Sequence, residues 1–193
     1  MKKLSSIMMI ALAACTFQAC HSGAKDSTAA ADSANAVKDT TTSGMTGIAV
    51  DKDDAKFAVD AANGGMTEIA LSKNAMSQST NDKIKDFATM MVTDHTKVGD
   101  ELMAIAKKKN ITMPDSVNAD SKKVIDEMAM KTGKDFNKAY VDKMLADHKA
   151  TVSMFEDASK KIKDPDLKAF VDNTLPTIKS HLAAITAMHD AMK

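Results

Sequence analysis

Apolar residues recur every three or four positions along four long stretches of the chain, which is the period of an amphipathic helix. These stretches cover about residues 53–79, 81–109, 135–162 and 165–191. Asp53 or Asp54 is placed to cap the first helix, and Asp164 followed by Pro165 is a typical start for the fourth. The pattern therefore predicts four long helices, each with one apolar stripe.

The connection between the second and third long helices is the only long one, at about residues 111–133. It contains Pro114 and a pattern that predicts a short helix at about residues 121–131. Four single-striped helices bury their stripes most easily as a bundle. We therefore predict an all-α, ferritin-like four-helix bundle with one long crossover between helices two and three. A plain up-down-up-down bundle is the alternative.

Composition agrees with helices and narrows the range of partners. Lysine plus arginine and aspartate plus glutamate number 26 each, so the formal net charge is zero. A balanced charge gives no indication of nucleic acid or of an anionic membrane surface as a partner. Few glycines, three prolines and no tryptophan in an alanine-, lysine- and methionine-rich chain favour helices over sheets.

The N-terminus resembles the signal sequence of a bacterial lipoprotein. A short basic start precedes an apolar run that is too short to span a bilayer as a mature helix. Cys15 and Cys20, the only cysteines of the chain, each follow a small residue, as in a lipobox. We predict a signal peptide at 1–19 and lipidation of Cys20, with Cys15 as the alternative. This predicts a lipid anchor in the outer membrane, facing the periplasm or the surface.

Residues 20–50 contain almost no large apolar side chains and are predicted to be a flexible tether. The folded domain is then predicted at residues 51–193, which is enough chain for a sizeable core. Pro176 lies within the fourth helix, where it removes a backbone hydrogen bond and is expected to bend the helix one turn before His181.

The motif Met-x-x-Asp-His occurs twice, ending at His95 and at His148, and both histidines lie on apolar stripes. His181 and Glu68 occupy the same kind of position on the fourth and first helices. Each of these four residues lies near the middle of its predicted helix, so helices packed side by side with their ends aligned would bring them to one level. The sequence therefore predicts a polar layer across the middle of the bundle.

A buried polar layer is costly unless its members are satisfied. Neutral imidazoles with one carboxylate suit a single Zn, Fe, Mn or Cu ion, so we predict a metal site at Glu68, His95, His148 and His181. The alternative is a hydrogen-bond network without metal. A second tier of candidates contains Met91 and Met144, whose thioethers would suit Cu(I) or simply fill the core, and Asp94 and Asp147, which would orient histidines or remain solvated.

Four phrases of the sequence together resemble one protein family. They are Phe57-x-x-x-Ala61-Ala62-x-Gly64-Gly65-Met66-x-Glu68, Phe87-Ala88-x-x-Met91-Val92-x-Asp94-His95, Tyr140-Val141-x-x-Met144-x-x-Asp147-His148 and Leu175-Pro176-x-x-x-x-His181-Leu182. The resemblance is to a bacterial family assigned to the outer membrane, often lipid-anchored, with a ferritin-like domain of unknown function. It implies the bundle and an envelope location, but no activity.

The chain departs from the di-iron pattern of ferritin-like enzymes. Those enzymes use Glu-x-x-His on two helices, whereas here the residues three before the histidines are Val92, Leu145 and Ile178. A di-iron cage is therefore not expected. No serine-histidine-aspartate arrangement, phosphate loop or cysteine nucleophile is evident, so the sequence favours a non-enzymatic role. The hypotheses are a metal-binding envelope protein and a structural or interaction module.

Overall fold

The computed structural model of the protein describes residues 26–39 and 50–193, and these residues form six helices and no strand. The helices are α1 Ser27–Asp39, α2 Lys52–Gln78, α3 Asp82–Lys108, α4 Ala119–Ala129, α5 Gly133–Lys161 and α6 Pro165–Asp190. The all-α prediction is confirmed. The four long predicted helices correspond to α2, α3, α5 and α6, and the short one to α4.

The predicted helix caps agree with the structure at one place and differ at another. Asp164 caps α6 in front of Pro165, as expected, and Asn81 caps α3. The cap of α2 is Asp51, whose side chain accepts from the backbone N–H groups of Asp53 and Asp54, so the prediction that one of those two residues is the cap was wrong. Asp54 is instead buried. Its carboxylate accepts from the backbone N–H groups of Lys163 and Asp164 in the turn between α5 and α6.

Contacts between helix ends define the direction of each helix. Asp54 near the start of α2 and Lys109 at the end of α3 both contact Asp164, which lies between α5 and α6. At the opposite end, the Ser79 hydroxyl after α2 donates to Asn137 near the start of α5, at 2.8 Å. Helix α5 therefore runs antiparallel to α2 and parallel to α3.

Helix packing follows from these directions. Helices α2 and α3 pack along each other, as do α5 and α6, and α3 also contacts α6 while α2 contacts α5. Helix α4 lies against α2, where the Asn63 side chain accepts from the backbone of Asn118 and donates to the Ser121 hydroxyl. Helix α6 continues through Pro176 without a break in its assignment.

The core consists of two separate apolar clusters at successive levels along the long helices. The first cluster contains Val50, Ala55, Phe57, Ala58, Leu102, Ala106, Ile111, Phe155, Ala158, Ile162, Leu167, Phe170, Val171 and Ile178. The second cluster contains Leu71, Ala75, Ile84, Phe87, Ala88, Met91, Met128, Phe136, Tyr140, Val141, Met144, Leu145 and Ile185. On every long helix, a short stretch of residues separates the members of one cluster from those of the other.

Helix α1 differs from the flexible tether expected for residues 20–50. Ala31 is buried, and the buried Asn35 side chain exchanges two hydrogen bonds with the backbone of Thr112, at 2.7 and 2.9 Å. Asp26 accepts from the backbone N–H of Ala119 at the start of α4. Polar side-chain contacts thus order residues that have little apolar surface to bury. The predicted signal peptide, Cys15 and Cys20 lie outside the described residues.

Among the described helices, none is both long and apolar enough to cross a membrane.

Candidate metal centre

A layer of four polar residues lies between the two apolar clusters, with one residue from each long helix. Glu68 comes from α2, His95 from α3, His148 from α5 and His181 from α6. All four are buried, with exposed fractions of 3%, 8%, 0% and 2%. Helices of similar length that are aligned at their ends bring their midpoints to one level, which is why these side chains meet. The predicted layer therefore exists.

The three imidazoles form a compact triangle. Ring centroids are 5.5 Å apart for His95 and His181, 5.7 Å for His148 and His181, and 6.0 Å for His95 and His148. One nitrogen from each ring lies within 4.8 Å of the others. Two nitrogens bound to one ion at about 2.1 Å are at most about 4.2 Å apart. The spacing of the three nitrogens is thus close to the spacing that a single ion would need.

Glu68 faces two of the histidines. Its Oε2 lies 3.3 Å from Nδ1 of His95, and its Oε1 lies 3.4 Å from Nδ1 of His148. Oε1 is nevertheless buried without a hydrogen-bond partner, because Nδ1 of His148 is bonded elsewhere. The carboxylate is thus held beside the imidazole triangle with acceptor capacity to spare.

Hydrogen bonds determine which nitrogen of two rings carries a proton. Nδ1 of His148 donates to the backbone carbonyl of Met144 at 2.9 Å, since a carbonyl can only accept. Nε2 of His181 donates to the Asp94 carboxylate at 2.8 Å. The remaining nitrogens, Nε2 of His148 and Nδ1 of His181, are buried without a partner, as is Nε2 of His95. Each ring therefore has one free nitrogen inside the protein.

Burial also sets the charge of the layer. Burial, together with a smaller contribution from the neighbouring imidazoles, lowers the pKa of His95 to about 3 and that of His148 to about 4. Burial raises the pKa of Glu68 to about 8, with a smaller contribution from the negative charge of Asp147. At neutral pH His95 and His148 are therefore neutral. A neutral imidazole is the form that binds metal ions.

The two aspartates of the repeated motif have different roles. Asp94 on α3 accepts from His181 on α6, so it orients a histidine of a neighbouring helix as the sequence suggested. Asp147 instead forms an ion pair with Lys143 on its own helix, with Nζ and Oδ1 2.7 Å apart. It acts on the layer only through its charge, which raises the pKa of Glu68. The repeat in sequence is therefore not a repeat in contacts.

The methionines of the motif belong to the core. Met91 and Met144 are fully buried members of the second cluster, and the backbone carbonyl of Met144 accepts from His148. Their packing role is accordingly evident, whereas a thioether role at the metal stays a prediction. His189 lies apart from the layer and contacts Asp142 and Asp190.

The sequence did not predict a cavity that adjoins the layer on the side of the first cluster. Its volume is about 90 Å³, and its wall includes Glu68, Asp94, His95 and His181. Gly64, Gly65 and Gly99 also line it. Glycine is unfavourable inside a helix, so these three positions were a signal that could have indicated missing packing.

Two solved structures share the fold of this chain. One is described as CopM in the Cu(I)-bound form, with 13% identity and a TM-score of 0.61, covering 72% of this chain and 96% of that one. The other is CopM in the Cu(II)-bound form, with 12% identity and a TM-score of 0.60, covering 72% and 97%. At such low identity the likeness concerns the fold alone. No functionally curated protein matches the chain.

The match to a family is more direct, because it rests on sequence and covers most of the chain. Residues 39–188 match the model of the domain of unknown function DUF4142, and this range contains all four residues of the polar layer. The chain therefore belongs to the DUF4142 family.

Proposed function

We propose that this protein binds a single transition-metal ion between its two apolar clusters and serves in metal homeostasis or a stress response. His95, His148 and His181 would each supply one ring nitrogen, and Glu68 would supply a carboxylate oxygen. The observation that carries this proposal is that each of the three rings buries one nitrogen without a partner, and that Glu68 does the same with Oε1.

The fit of these residues to a metal ion follows from the cost of burying polar atoms. A buried acceptor without a partner costs about 1–3 kcal/mol, and four such atoms occur in one layer. In the structure these four atoms have no hydrogen-bond partner, and the N–H protons of His148 and His181 serve Met144 and Asp94. A divalent ion would satisfy all four, and the contact from Asp94 would hold the His181 ring in the orientation that leaves Nδ1 free.

Copper is the ion that we propose. Imidazole is a suitable ligand for copper, as it is for zinc, iron and nickel. The fold is shared with CopM, of which both a Cu(I)-bound and a Cu(II)-bound form are known. Three imidazoles and a carboxylate would suit Cu(II), and the same imidazoles without the carboxylate would suffice for Cu(I).

We further propose that the four long helices form a ferritin-like four-helix bundle with a crossover through α4. Support comes from the contacts at the helix ends, which make α5 parallel to α3, so that the connection between them has to run the length of the domain. The sequence also supports a location in the cell envelope, with the mature protein anchored in the outer membrane by lipid at Cys20.

The metal proposal is tested with protein purified without an affinity tag and stripped with a chelator. The protein is loaded separately with copper, zinc, iron and manganese, desalted, and analysed by mass spectrometry of the metals. We expect one copper ion per chain. A double variant, His95→Leu with His148→Leu, should retain none, whereas His189→Leu should retain as much as the wild type because its ring lies outside the layer.

Thermal melting provides the second readout. A ligand that binds only the native state stabilises it, so copper should raise the Tm of the wild type and of His189→Leu but not that of the double variant. Substoichiometric metal with every ion, or equal retention in the double variant, would sink the metal proposal. If the wild type retains no metal and the double variant is more stable than the wild type, the result would favour a hydrogen-bond network.

Lipidation is tested by intact mass spectrometry of the membrane-bound protein. Cys20→Ala should abolish the acylated mass, and Cys15→Ala is the matched control that should leave it unchanged. The opposite result would assign the anchor to Cys15.

A further inference from the structure

Three glycines line the cavity beside the polar layer, although no close contact requires glycine at these positions. Gly64 and Gly65 on α2 and Gly99 on α3 lie inside helices and line the cavity. A Cβ atom added at Gly64 or Gly99 would meet nothing within 4 Å, and one at Gly65 would make only ordinary contact with His95 at 3.9 Å. Alanine would therefore fit at all three positions.

Glycine in place of alanine makes a helix less stable at each position. Three of the four glycines in the described residues line this one cavity, and the fourth, Gly133, has a positive φ of 57° that favours glycine for a different reason. Close helix contact does not explain the three, because an added methyl group would make at most ordinary contact with its neighbours. The three glycines therefore make their helices less stable than alanine would, and they leave this space unfilled.

The chemistry of the wall selects an apolar occupant. Leu102, Phe155, Phe170 and Ile178 from the first cluster form much of the wall, together with Val98. Where the cavity meets the polar layer, few hydrogen-bond acceptors are exposed to it. The unpartnered nitrogens of His95 and His181 are buried, and Asp94 is bonded to His181. Ordered water needs two to four polar partners, so this wall favours an uncharged, apolar molecule.

The volume limits the size of the occupant. An apolar cavity of about 150 Å³ can hold benzene or xenon, and this cavity is smaller, at about 90 Å³. Several wall residues on α2 and α3 are part-exposed, including all three glycines, so the cavity is reachable from solvent between these helices. An aromatic ring is too large, whereas a molecule of two to four heavy atoms fits.

We propose that the cavity lined by Gly64, Gly65 and Gly99 is a binding site for a small, neutral, apolar molecule of the size of a dissolved gas or a short hydrocarbon. The site borders the polar layer, because Glu68, His95 and His181 form part of its wall, and its occupant would lie directly against His95 and His181. It needs no metal ion to bind its occupant.

Xenon is the probe for this site. The full-length chain, stripped of metal, is equilibrated with increasing xenon pressure while backbone amide signals are recorded by NMR. We expect saturable shifts at the backbone amides of Gly64, Gly65 and Gly99 and of the other residues of the wall. Gly99→Leu should fill the cavity and abolish the shifts. Ala104→Leu is the matched control, because it adds the same side chain to the exposed face of the same helix.

Gly64→Leu on the facing helix keeps the test decisive if Gly99→Leu does not fold. It should also abolish the saturable shifts. The proposal is overturned if xenon causes no saturable shift at the glycines, or if a folded Gly99→Leu or Gly64→Leu protein binds xenon as the wild type does. Neither result depends on whether the protein binds a metal ion, so failure of the metal proposal leaves this test unaffected.

Discussion

The two apolar clusters differ in how completely they are packed. The second cluster holds most of the largest fully buried side chains of the protein, namely Tyr140, Phe136, Leu71, Ile84, Met91, Met144, Ile185 and Val141. Of the same set, the first cluster holds only Phe170 and Leu167, and it borders the cavity. The second cluster is thus packed more completely than the first, which leaves space beside the polar layer.

The layer between them connects the two halves. From the side of the second cluster, the Met144 carbonyl accepts from His148 and the Ser72 and Tyr140 hydroxyls share a buried hydrogen bond at 3.0 Å. On the side of the first cluster, His95 and His181 form part of the cavity wall. His148 is thus bonded to the well-packed second cluster, whereas His95 and His181 border the cavity on the other side.

The largest expected difference concerns matched leucine truncations. Leu71→Ala in the second cluster and Leu102→Ala in the first both remove a buried side chain, with exposed fractions of 0% and 2%. Such changes cost about 2–5 kcal/mol. We expect about 4 kcal/mol for Leu71→Ala and about 2 kcal/mol for Leu102→Ala, because Leu102 faces the cavity and has fewer contacts to lose.

Urea denaturation of the metal-free proteins measures both free energies of unfolding. Equal losses, or a greater loss for Leu102→Ala, would contradict the idea that the second cluster is the better packed.

The next prediction concerns the pH dependence of the metal-free protein. The folded-state pKa values of His95 and His148 lie below their ordinary value, at about 3 and about 4, so these groups make stability rise with pH up to about 6.5. The folded-state pKa of Glu68 lies above its ordinary value, at about 8, so this group makes stability fall between about pH 4.5 and 8. Stability should therefore peak near pH 6.5.

Each proton that only one of the two states binds changes the free energy of unfolding by at most about 1.4 kcal/mol per pH unit. Chemical denaturation at pH 5, 6.5 and 8 measures it. Glu68→Gln has no titrating carboxyl, so it should lose the decline above pH 6.5 while keeping the rise below it. If the decline persists in Glu68→Gln, the layer is not its source.

The smallest effect concerns the glycines on the open side. Gly99→Ala should raise the free energy of unfolding by about 0.5–1 kcal/mol, because its methyl group enters empty space and the helix becomes more stable. Gly133→Ala is the control and should destabilise the protein, since its φ of 57° is unfavourable for alanine. Thermal and urea melts measure both changes, and destabilisation by Gly99→Ala would show that the space is needed for the fold.

Much of the fold could be predicted from local sequence because its causes are local. The apolar period, the cap at Asp164 and the proline at 165 each act within a few residues, and the helices begin and end close to where these signals place them. Helix α1 was missed because its order depends on contacts such as that of Asn35 with Thr112, which are distant in sequence. Composition alone carries no trace of such a partner.

The candidate site shows the same division. Polar residues on apolar stripes can be recognised one helix at a time, so Glu68, His95, His148 and His181 were accessible to sequence reasoning. The different contacts of Asp94 and Asp147 could not be predicted from the sequence, because both residues precede a histidine in the same motif. Only the packing of α3 against α6 places Asp94 beside His181, whereas Asp147 pairs with Lys143.

The sequence by itself determined the helices, their buried faces and the four polar residues at mid-helix, because helical periodicity and capping are properties of neighbouring residues. The tertiary structure decided the tautomers of His148 and His181, the pKa of Glu68 and the existence of the cavity. These depend on burial and on contacts between helices. Burial and empty space arise only when separate parts of the chain meet.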